Sequence, residues 1–358
     1  MDARYSRQLA LPGFGVAAQQ RLGAARVLVI GAGGLGSTVI PSLAAAGVGT
    51  IGVIDDDRVE LSNLHRQVMH AGRIGEAKAA SAAALVEALG VSAVAIEERL
   101  TSDNALELFS GYDLVIDGSD NFPTRYLAND AAELAGIPLV WGAVSQYGGQ
   151  AGISWAGTSY RDLFPAPPPP GSVPSCAVGG VLPTTVAVIG SIMATEALKL
   201  IADVGRPLIG RVTTYDALSG AFREIPYARD PQAPAVTALI DYELFCAGDR
   251  AAAAGHRTEP AAEITPAELA ARDDVLLVDV REPWEAAIAS IPGSVLVPLG
   301  TVAEAEFDDA RPIVVYCHHG VRSQTAREQL AARGIPATSL AGGIDAWALQ
   351  VDPSTARY

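Results

Sequence analysis

The chain has 358 residues, long for a single domain, so two or so are expected. With 49% hydrophobic and 18% charged residues wholesale disorder is excluded, and a formal net charge of −15 excludes the basic face that nucleic acid requires. Three widely spaced cysteines, Cys176, Cys246 and Cys317, exclude a disulfide framework and suit a reducing compartment.

In chain order, the first residues, Met1 to Arg7, carry no apolar stretch of the signal-peptide kind, so a cytoplasmic protein is expected. Arg26–Ile30 reads as a short strand entering the turn Gly31-Ala32-Gly33-Gly34-Leu35-Gly36, with an Ala-rich helix over about 37–46. Thr50–Ile54 reads as a second strand ending on Asp55-Asp56-Asp57. A helix over 76–89, a strand over 93–96, a helix over 104–109 and a strand over 113–117 continue the alternation. Such alternation predicts an α/β fold, a mostly parallel sheet covered on both faces. Beyond Val140, Gly148-Gly149 and Trp155-Ala156-Gly157 read as turns between antiparallel strands. Residues 165–170 read as a polyproline II loop, and 211–215 with 221–225 as a closing strand pair.

Residues 177–195 carry no charge, and a membrane span wants about 20 predominantly apolar residues. Their Gly, Pro and Thr content, running into Glu196 and Lys199, instead predicts a loop and a buried helix over about 184–201, with no membrane role. From about Ala228 to Pro260 the composition shifts to Ala, Pro and polar residues and reads as a linker. The expected division is a domain of residues 1–245, a linker of 246–260 and a small α/β domain of 261–358. In the last, helices over 265–272, 322–333 and 343–349 accompany strands over 275–280 and 313–316.

A strand, a Gly-rich turn and a helix make a phosphate-binding element, because the glycines admit the ligand and the helix N-terminus offers free N–H groups. Asp55, 24 residues after Gly31, sits where a carboxylate accepts ribose hydroxyls. This much also fits an NAD-dependent oxidoreductase. A hydride-transfer enzyme, however, needs no cationic cluster beyond the ribose site. Here Ser62-Asn63-Leu64-His65-Arg66 and Lys78 follow, with Arg66 and Lys78 suited to neutralise a triphosphate and Asn63 to position it. In Asp120-Asn121, Asp120 is expected at a strand end, as a Mg²⁺ ligand or as the N-cap of the next helix.

Near the other end, Cys317-His318-His319-Gly320-Val321-Arg322-Ser323 follows a β-branched strand and opens a helix. Successive backbone N–H groups there form an anion nest that favours a thiolate or persulfide. Four residues separate Cys317 from Arg322, against five in the phosphate-sized loop of tyrosine phosphatases, which favours sulfur as the cargo. An activated carboxylate and a deliverable sulfur together suggest a thiocarboxylate product.

RYSRQ (4–8), GAGGLG, DDDRVELSNLHRQ (55–67) and DGSDN (117–121) resemble the ThiF/MoeB family of adenylating enzymes, relatives of ubiquitin-activating enzymes. VDVREPWE (278–285), IPGS (291–294) and GGIDAW (342–347) resemble rhodanese domains. SYRDLFP, PPPPG and LIDYELFC extend the likeness to MoeZ-type fusions of the two. The resemblance implies ATP-dependent, Mg²⁺-assisted adenylation of the C-terminal Gly-Gly of ubiquitin-like sulfur carriers. Sulfuration from a persulfide then follows, for molybdopterin, a related cofactor or cysteine, with thiosulfate or a cysteine desulfurase as donor. It assigns ribose binding to Asp55, phosphate contacts to Asn63, Arg66 and Lys78, Mg²⁺ to Asp120, and to Arg7 a reach into the partner subunit's site of a homodimer. Many members carry zinc on two CxxC pairs. Ser159-Tyr160-Arg161-Asp162 and Cys246-Ala247-Gly248-Asp249 stand in the corresponding places, so zinc is not expected. Cys176 falls in the family's mobile loop, where it is either a small buried hydrophobe or a member of the sulfur relay.

Overall fold

The computed structural model describes residues 3–168, 179–247, 263–272, 274–307 and 311–357. The chain forms two compact units, Met1–Gly248 and Asp249–Tyr358. Cys176 lies outside the described residues.

In the first unit β1 (Arg26–Ile30), β2 (Thr50–Ile54), β3 (Ser92–Ile96), β4 (Leu114–Asp117), β5 (Leu139–Ser145), β6 (Gly148–Ser154), β7 (Arg211–Asp216) and β8 (Ala221–Pro226) build one sheet. Its order is β3-β2-β1-β4-β5-β6-β7-β8. The strands from β3 to β5 pair in parallel, and β6, β7 and β8 are added antiparallel. Around it lie α1 (Ser6–Leu9), α2 (Gly15–Ala24), α3 (Gly36–Ala46), α4 (Lys78–Ala88), α5 (Ala105–Phe109), α6 (Phe122–Ala135), α7 (Tyr160–Leu163), α8 (Pro183–Ala202) and α9 (Tyr242–Ala247).

Alternate residues of a strand face opposite ways, so a strand covered on both sides must be apolar throughout. Accordingly Val27 and Val29 of β1 join a core with α3, α4 and α8, whereas Leu28 and Ile30 join another with α5 and α6. The pair Gly148-Gly149 is not a turn: it begins β6, and the reversal falls at Gln146, whose φ is 51°. A Cβ on Gly149 would stand 2.4 Å from Ile189 Cγ1, so the glycine lets α8 lie close on the sheet.

By length and composition α8 is apolar enough to cross a bilayer, yet half of its apolar window is buried within the unit. Its buried Glu196 accepts the Leu208 N–H at 2.8 Å. The stretch read as linker from about Ala228 to Pro260 needs correction over 239–247. Tyr242 is buried, and Leu239, Phe245 and Cys246 pack on the same core, so α9 belongs to the first unit. A few apolar residues at helical spacing outweigh the surrounding Ala, Pro and polar composition.

In the second unit β9 (Glu263–Ile264), β10 (Leu276–Asp279), β11 (Val295–Leu296), β12 (Ile313–Tyr316) and β13 (Ala337–Leu340) form a parallel sheet ordered β11-β10-β12-β13-β9. Helices α10 (Pro266–Ala270), α11 (Pro283–Ile288), α12 (Leu299–Val302), α13 (Val321–Ala332) and α14 (Gly343–Gln350) accompany it, with a separate core on each face.

Candidate active site

From β1 the chain proceeds to β2 and β3 on one side and returns with β4 on the other. This leaves a crevice at the carboxyl ends of β1 and β4, where open α/β sheets bind ligands. A cleft of about 1020 Å³ occupies it, lined by Gly31, Gly33, Gly34, Asp55, Arg66, Lys78, Asp120 and Asn121. That is at the upper end for small-molecule sites, enough for a nucleotide and part of a second reactant. Gly36 is not on the wall. Its Cβ would fall 2.3 Å from the Gly31 carbonyl, so it lets α3 start against the turn.

Asp55 closes one side. It accepts the Ala32 N–H at 2.7 Å and the Asp57 N–H at 2.9 Å, which aligns the Gly-rich turn with the end of β2. Burial pushes its carboxyl above the ordinary range, and those backbone donors and Lys78 oppose the rise. Lys78 is buried, with its ammonium 2.8 Å from Asp57 Oδ2. Asp57 is thus a site residue that motif reading passed over.

Ser62, Asn63, Leu64 and His65 are not among the residues lining the cleft, and Asn63 orients Arg66. Asn63 Oδ1 accepts from Arg66 Nη2 at 2.9 Å, while Asn63 Nδ2 donates to Glu60 at 3.2 Å. His65 Nδ1 lies 3.0 Å from the Ser62 carbonyl, fixing the turn. Arg7, exposed on α1, is not among the residues lining its own chain's cleft.

Asp120 lies three residues past the end of β4, exposed on the cleft wall rather than at the strand end itself. It is not the helix cap: Asn121 Oδ1 accepts the Thr124 N–H at 2.9 Å. What holds the Asp120 turn is a buried ion pair. Asp117 accepts from Ser119 Oγ at 2.6 Å and from Arg125 Nε at 3.3 Å, and Arg125 Nη2 donates to the Ser119 and Gly142 carbonyls at 2.8 and 3.0 Å. The signal for Arg125 is its place in a helix whose residues 125–132 are all buried, where a charge must be paired.

Ser159 and Asp162 form a capping box that starts α7. Between them Arg161 grips Asp130 through two bonds of 2.7 and 2.6 Å and lies 5.0 Å from the ring centroids of both Tyr126 and Phe245. Tyr242 Oη donates to the same Asp130 at 2.7 Å, so α6, α7 and α9 are clasped together. The donor set does not fit tetrahedral zinc. Among the described residues Cys246 is the one thiol there, and burial and Glu243 push it up to about 11, away from the thiolate that zinc takes.

In the second unit Cys317 directly follows β12 and is buried; its Sγ accepts the Gly320 N–H at 3.2 Å. The N–H groups opening α14 fasten the same loop, with Ile344 donating to the Cys317 carbonyl at 2.9 Å and Asp345 to that of His318 at 3.1 Å. This gives the GGIDAW segment its purpose. Arg322 is bound through both Nη atoms to Glu285, at 2.6 Å each. The VDVR part of its motif makes a buried pair in which Arg281 meets Asp279 at 2.8 and 2.5 Å, and Tyr316 Oη reaches Asp279 at 2.9 Å. His318 and His319 stack at 3.9 Å between ring centroids, and burial, then His319, holds His318 down at about 4.

A Gly-turn cleft with acidic and cationic walls, joined in one chain to a cysteine loop on a small parallel sheet, defines a two-headed transferase class. Residues 5–235 match the ThiF family, residues 265–350 match the rhodanese-like domain, and the chain belongs to the ThiF family. It is 48% identical to the adenylyltransferase/sulfurtransferase MoeZ of Mycobacterium tuberculosis, over 99% of this chain and 95% of that protein. It is 51% identical to a sulfur carrier protein adenylyltransferase of Thermus thermophilus, over 68% of this chain and 96% of that one. Mouse adenylyltransferase and sulfurtransferase MOCS3 is 38% identical, over 99% of this chain and 87% of its own. Among solved structures E. coli MccB with ATP shares the fold, with a TM-score of 0.58 at 20% identity, over 66% of this chain and 74% of that one. The chain is therefore an enzyme of the adenylyltransferase and sulfurtransferase class, and membership of the family implies ATP as its nucleotide.

Proposed function

We propose that the protein adenylates the C-terminal Gly-Gly of ubiquitin-like sulfur carriers and sulfurates them from a persulfide on Cys317. The observation that carries this reading is that one chain holds both the cleft and the sulfur loop. A carboxylate is a poor acyl donor until its oxygen can leave as AMP. The carrier carboxylate attacks the α-phosphorus of ATP and pyrophosphate departs towards Arg66 and Lys78. Asp55 takes the ribose hydroxyls. Asp120, an exposed oxygen donor on the wall, fits Mg²⁺, which when bound neutralises phosphate charge. The outer sulfur of the Cys317 persulfide displaces AMP to give an acyl disulfide, and a thiol, either Cys176 or one in solution, releases the thiocarboxylate. The donor is thiosulfate or a cysteine desulfurase. The product serves molybdopterin, a related sulfur-containing cofactor or cysteine. Absence of a cysteine pairing pattern supports a cytoplasmic setting.

The test mixes enzyme, a Gly-Gly carrier, ATP, thiosulfate and dithiothreitol and weighs the intact carrier. A gain of about 16 Da, oxygen replaced by sulfur, is expected. An unchanged carrier alongside robust pyrophosphate release would remove sulfuration from the reading.

The Arg161 clasp supports a zinc-free adenylation unit. Removing half-buried Arg161 leaves the buried Asp130 carboxylate with less compensation, so Arg161→Met should lower the unfolding midpoint of that unit, while EDTA leaves the wild type unchanged. One zinc per chain in the purified protein, or a midpoint that falls in EDTA, would overturn the assignment.

A further inference from the structure

Behind the sulfur loop lie two hydroxyls that the reaction described above does not use. Ser323 on α13 and Ser339 on β13 are both fully buried, with 0% exposure, so water does not satisfy them. Ser339 Oγ donates to Ser323 Oγ at 2.8 Å, and Ser323 Oγ donates to the Gly320 carbonyl at 2.8 Å. Ser323 Oγ also stands 3.6 Å from Cys317 Sγ. Because Ser339 supplies the proton that Ser323 accepts, the proton of Ser323 points forward, to Gly320 O or to Sγ. Both Nη groups of Arg322 are bonded to Glu285, so the guanidinium is drawn towards a carboxylate.

We propose that Ser323 donates to Cys317 Sγ as that sulfur leaves as a thiolate, and that Ser339 is the positioning residue that fixes the direction of the Ser323 proton. The inference rests on the reading of Cys317 as the sulfur carrier. In loading, the thiolate attacks the outer sulfur of thiosulfate, the S–S bond breaks, and sulfite leaves with the electron pair. In discharge to cyanide, carbon attacks the outer sulfur, the Cys317 S–S bond breaks, thiocyanate departs and Sγ keeps the pair. Negative charge accumulates on Sγ only in discharge, where a hydrogen bond to a charged group is worth most. In loading, a hydroxyl that raises the thiolate fraction also lowers its nucleophilicity, and the two effects offset.

The experiment loads the full-length protein with thiosulfate, follows the 32 Da gain on Cys317 by peptide mass, and times its loss to cyanide. Ser323→Ala and Ser339→Ala should each slow discharge about tenfold and change loading less than about threefold. The double variant should be no slower than Ser323→Ala, and Ser339→Thr should restore the wild-type rate. Circular dichroism and the extent of persulfide loading on Cys317 report that the second unit of each variant is folded. Discharge at the wild-type rate in folded Ser339→Ala, or additive losses in the double variant, would overturn the relay. A wild-type protein that gains no mass on Cys317 would instead overturn the underlying reading of that cysteine.

Discussion

Pyrophosphate exchange into ATP, dependent on a Gly-Gly carrier, should fall by roughly 10²–10³-fold in Asp120→Ala, the scale of losing one group that stabilises transition-state charge. The fold should be unaffected. Asp120 is exposed, Asn121 caps α6, and the Asp117–Arg125 pair holds the turn without it. Surface substitutions of this kind stay within about 0.5 kcal/mol. Arg7→Ala should be inactive as well, and mixing the two variants should restore part of the activity. In a homodimer whose Arg7 enters the partner's cleft, one hybrid site carries neither lesion. Full exchange in Asp120→Ala would remove that carboxylate from the chemistry, and a strict monomer with full activity would remove Arg7 and the dimer.

Cys317→Ala should leave exchange at the wild-type rate, because the change falls in the second unit and the described residues lining the cleft belong to the first. It should abolish thiosulfate sulfurtransferase activity and carrier thiocarboxylation. Sulfide should rescue part of the product by attacking the acyl-adenylate directly. Cys176→Ala is the companion variant. Both half-reactions intact with thiocarboxylation lost would put Cys176 in the relay, and no effect would return it to a packing role. Normal thiocarboxylation from thiosulfate in Cys317→Ala would mean that this loop does not supply the sulfur.

The parallel half of the first sheet was legible because strands covered on both faces must be apolar runs, and RVLVI and TIGVI are such runs between glycines and acids. Gly148-Gly149 misled because glycine serves turns and close packing alike, and which one depends on α8, far along the chain. At the site, the residues of the cleft and the sulfur loop are legible as motif: Asp55, Arg66, Lys78, Asp120 and Cys317. Their supports carry no role that a motif states: Asp57, Asp117 and Glu285 stand unremarked inside the quoted runs, and Arg125 and Ser339 stand outside them. Each acts through a partner on another element, as Arg322 and Glu285 do 37 residues apart, and no local spacing encodes that meeting. Of the SNLHR run, Arg66 lines the cleft and Asn63 bonds it from beside the wall.

The clasp of Arg161, Asp130 and Tyr242 has a consequence for a protein that handles sulfane sulfur. Thiolates bound to zinc remain nucleophiles, and a persulfide or polysulfide in solution exchanges with them and ejects the metal. A guanidinium, a carboxylate and a phenol offer such species nothing to oxidise or exchange. The clasp thereby removes one set of metal-bound thiolates from the half of the chain that activates the carrier, and the sulfur flux has fewer places to be lost along the way.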